Sequence, residues 1–425
     1  MIRIFKYNEV DRSEVFARTE PKVDVAGIVS DVIRNVKERG DEALREYTAK
    51  FDGVILESFE VSAAEKEEAL AMVEPEFRRI LKRAADNIRK FHTEQKRSGF
   101  ILNEDGVVMG QKVIPLDRAG LYVPGGTAAY PSTVLMDAVP AKIAGVKEIV
   151  MVTPPGKDGR VNPVIVAAAV EAGIDRIFKV GGAQAVAALA YGTGSIPCVD
   201  KIVGPGNAFV AEAKKQVFGQ VAIDMIAGPS EILIVSDAGS DPAVIAADLL
   251  SQAEHDKNAS AVLVTDSAAF ASAVQAELEA QIPKLLRAEI ARESIDRNGK
   301  IIVAETLMQA FEISNEIAPE HLEVAVDAPF DYLGLIRHAG SVFLGRNTPE
   351  ALGDYLAGPN HTLPTGGTAR FSSPLSVDDF VKKTQYTYFT AEAFRSVAED
   401  VADFAKKEGL TGHAESALIR IRKED

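Results

Sequence analysis

The sequence has very little cysteine and no long apolar run. Cys198 is the only cysteine among 425 residues, which excludes an internal disulfide framework and favours a reducing compartment. No apolar run approaches the ~20 residues that span a bilayer. The first segment, MIRIFKYNEVDRSEV, lacks the apolar core of a signal peptide. These absences predict a cytoplasmic protein with no membrane partner.

Positively charged residues are in the minority. The 47 Lys and Arg residues are outnumbered by 62 Asp and Glu residues, and the formal net charge is −15. A broad basic surface for nucleic acid is therefore not expected, and a small-molecule partner is favoured instead. The hydrophobic content of 47% is that of a globular protein, and a length of 425 residues predicts two to four domains.

Short apolar segments alternate with helical segments through the middle of the chain. Between residues 120 and 230, segments such as KEIVMVTPP and DRIFKVGG predict strands, and the rhythm starts again at Glu231 with EILIVSD. This alternation predicts parallel sheets covered by helices on both faces. We interpret residues 24–98 and the charged tail after Asp378, including FVKKTQYTYF, as helical.

Three glycine turns follow predicted strands and precede predicted helices. They are 124-PGG-126, 181-GGAQ-184 and 204-GPGN-207. Glycine lets the backbone approach a ligand closely, helix N-termini attract phosphate, and parallel sheets bind ligands at such strand ends. None of the turns matches G-x-G-x-x-G. From the motifs alone, dinucleotide binding and close strand–helix packing explain the glycines equally well.

Four of the six histidines stand near acids or amides. Gln252 and His255 are three residues apart, so they project from one face of a predicted helix and suit two ligands of one metal ion. The alternative is the polar end of an exposed helix. Glu320 and His321 open a strand-like segment and offer two proton-transfer groups, although a surface turn has the same pattern.

The remaining two of these four histidines, His361 and His413, lie in less regular segments. Asp354 and His361 flank a Gly-Pro-Asn sequence, which fixes the backbone outside regular structure. The glycine-containing stretch from 362 to 376 predicts either a functional lid or a disordered loop. His413 follows Glu408 by five residues, and its position alone predicts an exposed tail residue.

Taken together, these segments resemble the histidinol dehydrogenase family over nearly the whole chain, from about Val23 to Ile421. The shared segments are LYVPGG, KVGGAQAVAALAYGT, VDKIVGPGNAFVAEAKKQV, IDMIAGPSEILIV, DLLSQAEHD, APEHLE, GDYLAGPNHTLPTGGTARFSSPLSV and EGLTGHAES. The resemblance implies an NAD⁺-dependent, zinc-requiring, four-electron oxidation of L-histidinol to L-histidine through L-histidinal. It also implies a homodimer with shared active sites and one Zn²⁺ per subunit.

The resemblance assigns roles to individual residues. It implies that His321 is the general base for hydride transfer and that Glu320 activates water. The implied NAD⁺ contacts are Tyr122, Gln184 and Asn207. The implied metal ligands are Gln252, His255, Asp354 and, from the tail of the partner subunit, His413. The implied substrate contacts are Ser230, Gln252, His255, Glu320, His321, Asp354, His361, Glu408 and His413.

Pattern and resemblance together imply an α/β fold. It has two Rossmann-like parallel-sheet domains, an N-terminal helical segment and a C-terminal helical tail that contacts the dimer partner. Residues 1–22 form an N-terminal extension in this scheme. Residues 23–119 and 231–377 form a first α/β domain with most metal and catalytic residues, residues 120–230 form a second domain with the NAD⁺ contacts, and residues 378–425 form the tail.

The sequence alone does not exclude several other classes of function. A family paralogue would oxidise another small alcohol or diol, although the presence of His361 and Glu408 argues against it. A metal-dependent hydrolase would use the same residue types without NAD⁺, and a nucleotide- or metal-binding module would show no turnover. Cys198 is a candidate nucleophile, as in aldehyde dehydrogenases. It leads into an apolar strand, however, so we expect a buried structural residue.

Overall fold

A computed structural model describes residues 1–18, 24–125 and 129–422. Gly126 of the first glycine turn and Val23, where the resemblance begins, lie outside the described residues. The chain divides into two compact units. The main unit comprises Met1–Gln95 and Leu116–Phe380, and the small unit comprises Lys96–Pro115 and Val381–Asp425.

Strands and helices are numbered here in chain order over the described residues. The strands are β1 (Arg3–Lys6), β2 (Phe100–Glu104), β3 (Val107–Pro115), β4 (Arg118–Tyr122), β5 (Glu148–Thr153), β6 (Arg176–Lys179), β7 (Lys201–Val203), β8 (Ala222–Ile223), β9 (Glu231–Ser236), β10 (Ser260–Thr265), β11 (Lys300–Val303), β12 (His321–Ala325), β13 (Ser341–Leu344) and β14 (Val381–Phe389). The helices are α1 (Arg12–Phe16), α2 (Ala26–Arg39), α3 (Asp41–Phe51), α4 (Ala63–Met72), α5 (Pro75–Thr93), α6 (Pro131–Ala144), α7 (Pro163–Glu171), α8 (Gly182–Tyr191), α9 (Ala208–Val217), α10 (Pro242–Ala253), α11 (Ala268–Gln281), α12 (Ala288–Asn298), α13 (Leu307–Ile317), α14 (Glu350–Leu352), α15 (Ala391–Arg395), α16 (Ala398–Lys407) and α17 (Thr411–Arg422). Within these described segments, no helix is both long and apolar enough to cross a membrane.

Two parallel sheets form the frame of the main unit. The six-stranded sheet has the order β1-β11-β10-β9-β12-β13, and the five-stranded sheet has the order β6-β5-β4-β7-β8. Their paired strands are all parallel. In each sheet the strand that begins the repeating series, β9 or β4, is internal, and the later strands add on both sides of it, while β1 forms one edge of the six-stranded sheet. This is the doubly wound, Rossmann-like arrangement, so the predicted α/β fold class is confirmed.

Apolar side chains alternate between the two faces of each central strand. In β9, Ile232 and Ile234 pack into one core, whereas Leu233 and Val235 pack into the core on the opposite face. The two-residue period of a strand requires this alternation. Because both faces are covered, the strand is a continuous apolar run in the sequence, and its polar residues stand only at its two ends.

The small unit contains an antiparallel sheet and three helices. The sheet has the order β14-β3-β2, and β2 and β3 form a hairpin around Gly106, whose φ of 71° favours glycine. Residues Val381–Phe389 form strand β14, which pairs with β3 along its whole length. The helical interpretation of FVKKTQYTYF is therefore wrong for these residues. Their Val, Thr, Tyr and Phe side chains favour strands, and the partner strand is too distant in sequence for local periodicity to indicate it.

Candidate active site

The predicted catalytic pair lies at the amino-terminal ends of two neighbouring strands. Strands β9 and β12 pair in parallel with His321 opposite Ile232, which brings Glu320 and His321 beside Glu231. The Glu231 amide donates to Glu320 Oε2 at 2.8 Å, and the Glu231 carbonyl oxygen lies 3.0 Å from His321 Nδ1. Main-chain atoms of one residue therefore hold both members of the pair.

The hydrogen bond to Glu231 fixes the tautomer of His321. A carbonyl oxygen only accepts, so Nδ1 carries the proton and Nε2 keeps its lone pair. The Nε2 atom is buried, has no hydrogen-bond partner among the described residues, and lies 3.8 Å from Glu350 Oε1. Burial lowers the pKa of His321 to about 4, despite the opposing effect of Asp354. The imidazole is therefore neutral at neutral pH and able to accept a proton.

A group of buried acids surrounds this imidazole. One ligand atom from each of His321, Glu350 and Asp354 lies within 4.8 Å of the other two, a spacing that suits a metal ion. Burial raises the pKa values of Glu320 and Glu350 well above the usual range, and neighbouring carboxylates raise them further. Crowded buried acids are costly to ionise, and a divalent cation would offset their charge. Asp354 belongs to the predicted metal set, whereas Glu350 does not.

Gln252 and His255 lie at the end of α10, which runs back to the same edge of the sheet. Gln252 is 1% exposed, and the His255 amide donates to its carbonyl oxygen at 3.2 Å. The Gln252 side-chain amide has hydrogen-bond partners only when its nitrogen faces Glu350, where it donates to Oε1 at 2.7 Å and to Oε2 at 3.2 Å. Burial lowers the pKa of His255, and the charge of Asp354 opposes that effect. The predicted pair of ligands therefore adjoins the acid group.

Asp354 and His361 face each other beside this group. Asp354 lies in the π-helical turn Gly353–Ala357, and its Oδ1 is 3.4 Å from His361 Nδ1. Burial opposes the charged form of each residue. Their mutual attraction outweighs burial, so the pKa of Asp354 is lowered and the pKa of His361 is raised. Each of the two residues thus favours the charged form of the other at the wall of the site.

Helix α6 fixes the loop that carries His361. The Asn360 side-chain amide donates to the Met136 carbonyl oxygen at 2.7 Å, and the Thr362 hydroxyl donates to Asp137 Oδ1 at 2.8 Å. Asn360 and Thr362 are 4% and 5% exposed. The Gly-Pro-Asn sequence predicted to fix a functional loop therefore does so through buried hydrogen bonds to a helix of the five-stranded sheet.

Three further residues were predicted to contact the substrate or the metal. Ser230 immediately precedes β9 and is partly buried at the same edge. Glu408 caps the end of α16, and His413 lies in the first turn of α17. Both are exposed residues of the small unit. Their roles toward the substrate and the metal stay predictions.

The three predicted NAD⁺ contacts follow strands of the five-stranded sheet. Tyr122 ends β4, and its hydroxyl accepts a hydrogen bond from the Gly182 amide at 3.0 Å. Gln184 lies in the first turn of α8 and is 2% exposed. Asn207 caps α9 by accepting from two main-chain amides at 3.1 and 3.2 Å. All three lie at the carboxyl-terminal side of the sheet, where doubly wound folds bind ligands.

A cavity of about 620 Å³ opens beside the same side of the sheet. Its lining includes Pro124 and Gly125 after β4, Pro154 after β5, and Lys157.

The presence of glycine at one position of the nearby turns has a purely steric explanation. A Cβ on Gly204, whose φ is +111°, would lie 2.1 Å from the Tyr122 carbonyl oxygen, so close packing alone requires glycine there.

Two residues differ from the sequence interpretation. Cys198 was expected to be buried, but it is exposed, because the loop before β7 turns outward with its carbonyl oxygen bonded to Arg118. It precedes the amino-terminal end of β7, whereas Asn207 follows the carboxyl-terminal end.

Glu350 is a residue of the site that the sequence interpretation does not include. An acid after proline at a helix start is ordinary capping chemistry, and nothing in the local sequence indicates that it is 2% exposed.

A buried acid behind the site predicts that stability depends on pH. Burial raises the pKa of Glu323 to about 8, with a further contribution from Asp248, whereas an unfolded glutamate has a pKa of ~4.3. Between these values the folded chain binds more protons than the unfolded chain, so stability falls as the pH rises. We expect Glu323→Gln to stabilise the metal-free protein increasingly over this range, by about 1–3 kcal/mol near pH 8.

Urea unfolding at a series of pH values measures this effect. The substitution keeps an acceptor oxygen for the Glu350 amide, which donates to Glu323 Oε1 at 2.6 Å, so packing is preserved. A stability difference that does not change with pH would contradict the prediction.

Known proteins resemble this chain along its whole length. The family model described as histidinol dehydrogenase matches residues 17–421. Histidinol dehydrogenase of Clostridium acetobutylicum is 53% identical, with 99% of each chain covered. That of Bacillus cereus is 55% identical over 93% of this chain and 92% of the relative. The crystal structure of histidinol dehydrogenase from Elizabethkingia anophelis matches with a TM-score of 0.94 and 38% identity, covering 99% of this chain and 98% of that one. The protein belongs to the histidinol dehydrogenase family.

Proposed function

We propose that this protein oxidises L-histidinol to L-histidine through L-histidinal, with NAD⁺ as the hydride acceptor, in histidine biosynthesis. Membership of the family supports the substrate. The observation that carries the chemistry is the buried, neutral His321, whose free Nε2 faces a site lined by acids. The proposal also includes the predicted cytoplasmic location and the domain division at residues 119/120 and 230/231.

His321 acts in the first oxidation. Its Nε2 takes the hydroxyl proton of the alcohol while hydride leaves the carbinol carbon for NAD⁺, and the product is the aldehyde. General-base catalysis needs a neutral base within reach of that proton. The lowered pKa and the fixed tautomer supply the neutral base, since the Glu231 carbonyl oxygen keeps the proton on Nδ1.

Glu320 acts in the second oxidation. The aldehyde must gain water before a second hydride can leave, and the Glu320 carboxylate takes a proton from that water. Its raised pKa makes the ionised carboxylate a stronger base than an ordinary glutamate. Loss of the second hydride to another NAD⁺ then gives the carboxylate of histidine.

The donor set around Asp354 fits a zinc ion. Gln252, His255 and Asp354 would hold Zn²⁺, with His413 supplied by the partner subunit and one ion in each site. Mixed nitrogen and oxygen ligands suit zinc, and the buried acids of the site favour a cation. When bound, the ion would orient the imidazole and amino nitrogens of histidinol. Ser230, His361 and Glu408 would complete the substrate contacts, with Glu408 pairing with the ammonium group.

The NAD⁺ site is proposed at the carboxyl-terminal side of the five-stranded sheet. Tyr122, Gln184 and Asn207 would contact the dinucleotide there. The strand–turn–helix geometry of these three residues and the neighbouring cavity of about 620 Å³ support this placement. Neutral main-chain amides at the starts of α8 and α9 are suitable partners for phosphate oxygens.

The proposed assembly is a homodimer in which the tail of each subunit completes the site of the other. Exposed apolar residues of the small unit support it, since Phe100, Ile101 and Leu102 of β2 are 53%, 68% and 51% exposed. Strand β2 is also an edge of its sheet, and native proteins seldom leave an apolar edge strand uncovered.

Chelation tests substrate, cofactor and metal together. NADH formation from L-histidinol and NAD⁺ is expected to stop when the protein is stripped with a chelator and to return when Zn²⁺ is added. NADH absorbance and metal content measure the result. Turnover of other alcohols with negligible turnover of histidinol would favour a paralogue, and zinc-dependent hydrolysis without NADH formation would favour a hydrolase. Full activity of the stripped protein would contradict the metal requirement.

A further inference from the structure

The amide of Gln252 can turn either of two ends toward a metal ion. Only its oxygen is a good ligand, because the amide nitrogen has no available lone pair. Turning the side chain by 180° exchanges the two ends at almost no steric cost. A site that uses glutamine as a ligand therefore needs a neighbour that distinguishes the oxygen from the nitrogen.

Glu350 is that neighbour. In its ionised form Glu350 only accepts hydrogen bonds. In the amide orientation that satisfies the hydrogen bonds of Gln252, the amide nitrogen lies 2.7 and 3.2 Å from the two Glu350 oxygens. In the opposite orientation the glutamine oxygen would face two acceptors. Glu350 thus occupies the nitrogen end of the amide and turns the oxygen end away from itself.

Other contacts hold Glu350 in place. Its main-chain amide donates to Glu323 Oε1 at 2.6 Å, and the Ser251 hydroxyl donates to its Oε2 at 3.2 Å. The residue is 2% exposed, so water does not compete for its oxygens. Few alternative positions are therefore open to the carboxylate.

We infer that Glu350 is a positioning residue that directs the carbonyl oxygen of Gln252 toward the metal ion. The inference rests on the proposed zinc site. Outer partners that orient metal ligands typically contribute about 10–100-fold in metal affinity. Glu350 acts through Gln252 in this scheme, so its effect depends on the glutamine being present.

Zinc titration of the metal-free, full-length protein tests the inference, with competition against a chromogenic chelator giving the Kd. Glu350→Gln is expected to weaken zinc binding by about 10–100-fold, because an amide at 350 can pair with either end of Gln252. Glu312→Gln is the matched control. It makes the same acid-to-amide change at an exposed position of α13, and zinc affinity should stay within about 3-fold of the parent.

The reciprocal exchange provides a rescue. In Gln252→Glu/Glu350→Gln, an amide at 350 donates to a carboxylate at 252, whose other oxygen is free for zinc, and the total charge is unchanged. Zinc affinity should recover most of the loss. This variant also keeps the inference testable if Glu350→Gln alone fails to fold, which far-UV circular dichroism and thermal melting of the metal-free protein would reveal.

A direct ligand role for Glu350 would give a different result. In a Gln252→Ala background, Glu350→Gln should cause no further loss of zinc affinity if it acts through the glutamine. A further loss there, an unchanged affinity in the single variant, or no recovery in the exchange would each overturn the inference. If the parent protein binds no zinc, the proposed metal site itself fails, which is distinguishable from failure of the positioning role.

Discussion

Replacing His321 by asparagine is expected to lower kcat for histidinol oxidation by about 10²–10⁴-fold, the usual contribution of a general base. Asparagine keeps a donor for the Glu231 carbonyl oxygen, which lies 3.0 Å from Nδ1. It has no atom in place of Nε2, where the proton would be accepted. The loss should therefore fall on the chemical step, with NAD⁺ binding and zinc content close to those of the parent.

Steady-state kinetics with L-histidinol and with L-histidinal measure the effect on each half of the reaction. His338→Asn is the matched control, because it makes the same substitution at a partly buried histidine that is not one of the proposed site residues. It should leave kcat within about 2-fold of the parent value. A similarly small change in the His321 variant would remove this residue from the mechanism.

Replacing Glu320 by glutamine should separate the two oxidations. Glutamine keeps an acceptor for the Glu231 amide, which lies 2.8 Å from Glu320 Oε2, but it takes no proton from water. Oxidation of the aldehyde is expected to fall by about 10²–10³-fold, whereas the first hydride transfer and zinc content change much less. With semicarbazide to trap the aldehyde, the NADH formed per histidinol should drop from two toward one.

A cysteine variant tests the alternative in which Cys198 is the nucleophile of aldehyde oxidation. Cys198→Ser should still give two NADH per histidinol, because its exposed side chain lies before the amino-terminal end of β7. A thiol nucleophile would instead make this variant stop at the aldehyde.

If Glu320→Gln oxidises the aldehyde as fast as the parent, water activation must be assigned to another group.

Much of the fold could be predicted because the signals are local. The run Glu231–Ser236 has the length and composition of a doubly covered strand, and β9 has these bounds. The spacing of Gln252 and His255 is also a local signal. Gln252 lies in the last turn of α10, and His255 lies in the turn that follows this helix. Strand β14 could not be predicted in the same way, because its partner β3 is more than 260 residues away in the chain.

The location of the candidate site was also beyond local reasoning. The general rule for doubly wound sheets favours the carboxyl-terminal strand ends, and the six-stranded sheet departs from it. At those ends of β9 and β12, Arg346 donates to Asp237 at 2.8 Å and to the Ala325 carbonyl oxygen at 2.5 Å, so structural hydrogen bonds occupy these groups. The proposed catalytic pair instead lies at the opposite edge, where α10 and the turn at Asp354 return. The sequence does not indicate Glu350 as a site residue, because its burial depends on the return of α10 and the turn at Asp354 to this edge of the sheet.

The main-chain atoms of Glu231 that hold the proposed catalytic pair have a consequence for engineering. No substitution at position 231 other than proline removes the amide that bonds Glu320, and none removes the carbonyl oxygen that bonds His321. A slip of β9 by one residue, however, would reverse which main-chain groups face β12. Transplanting this acid–base pair into another parallel sheet would therefore require copying a strand alignment, because main-chain groups make both hydrogen bonds.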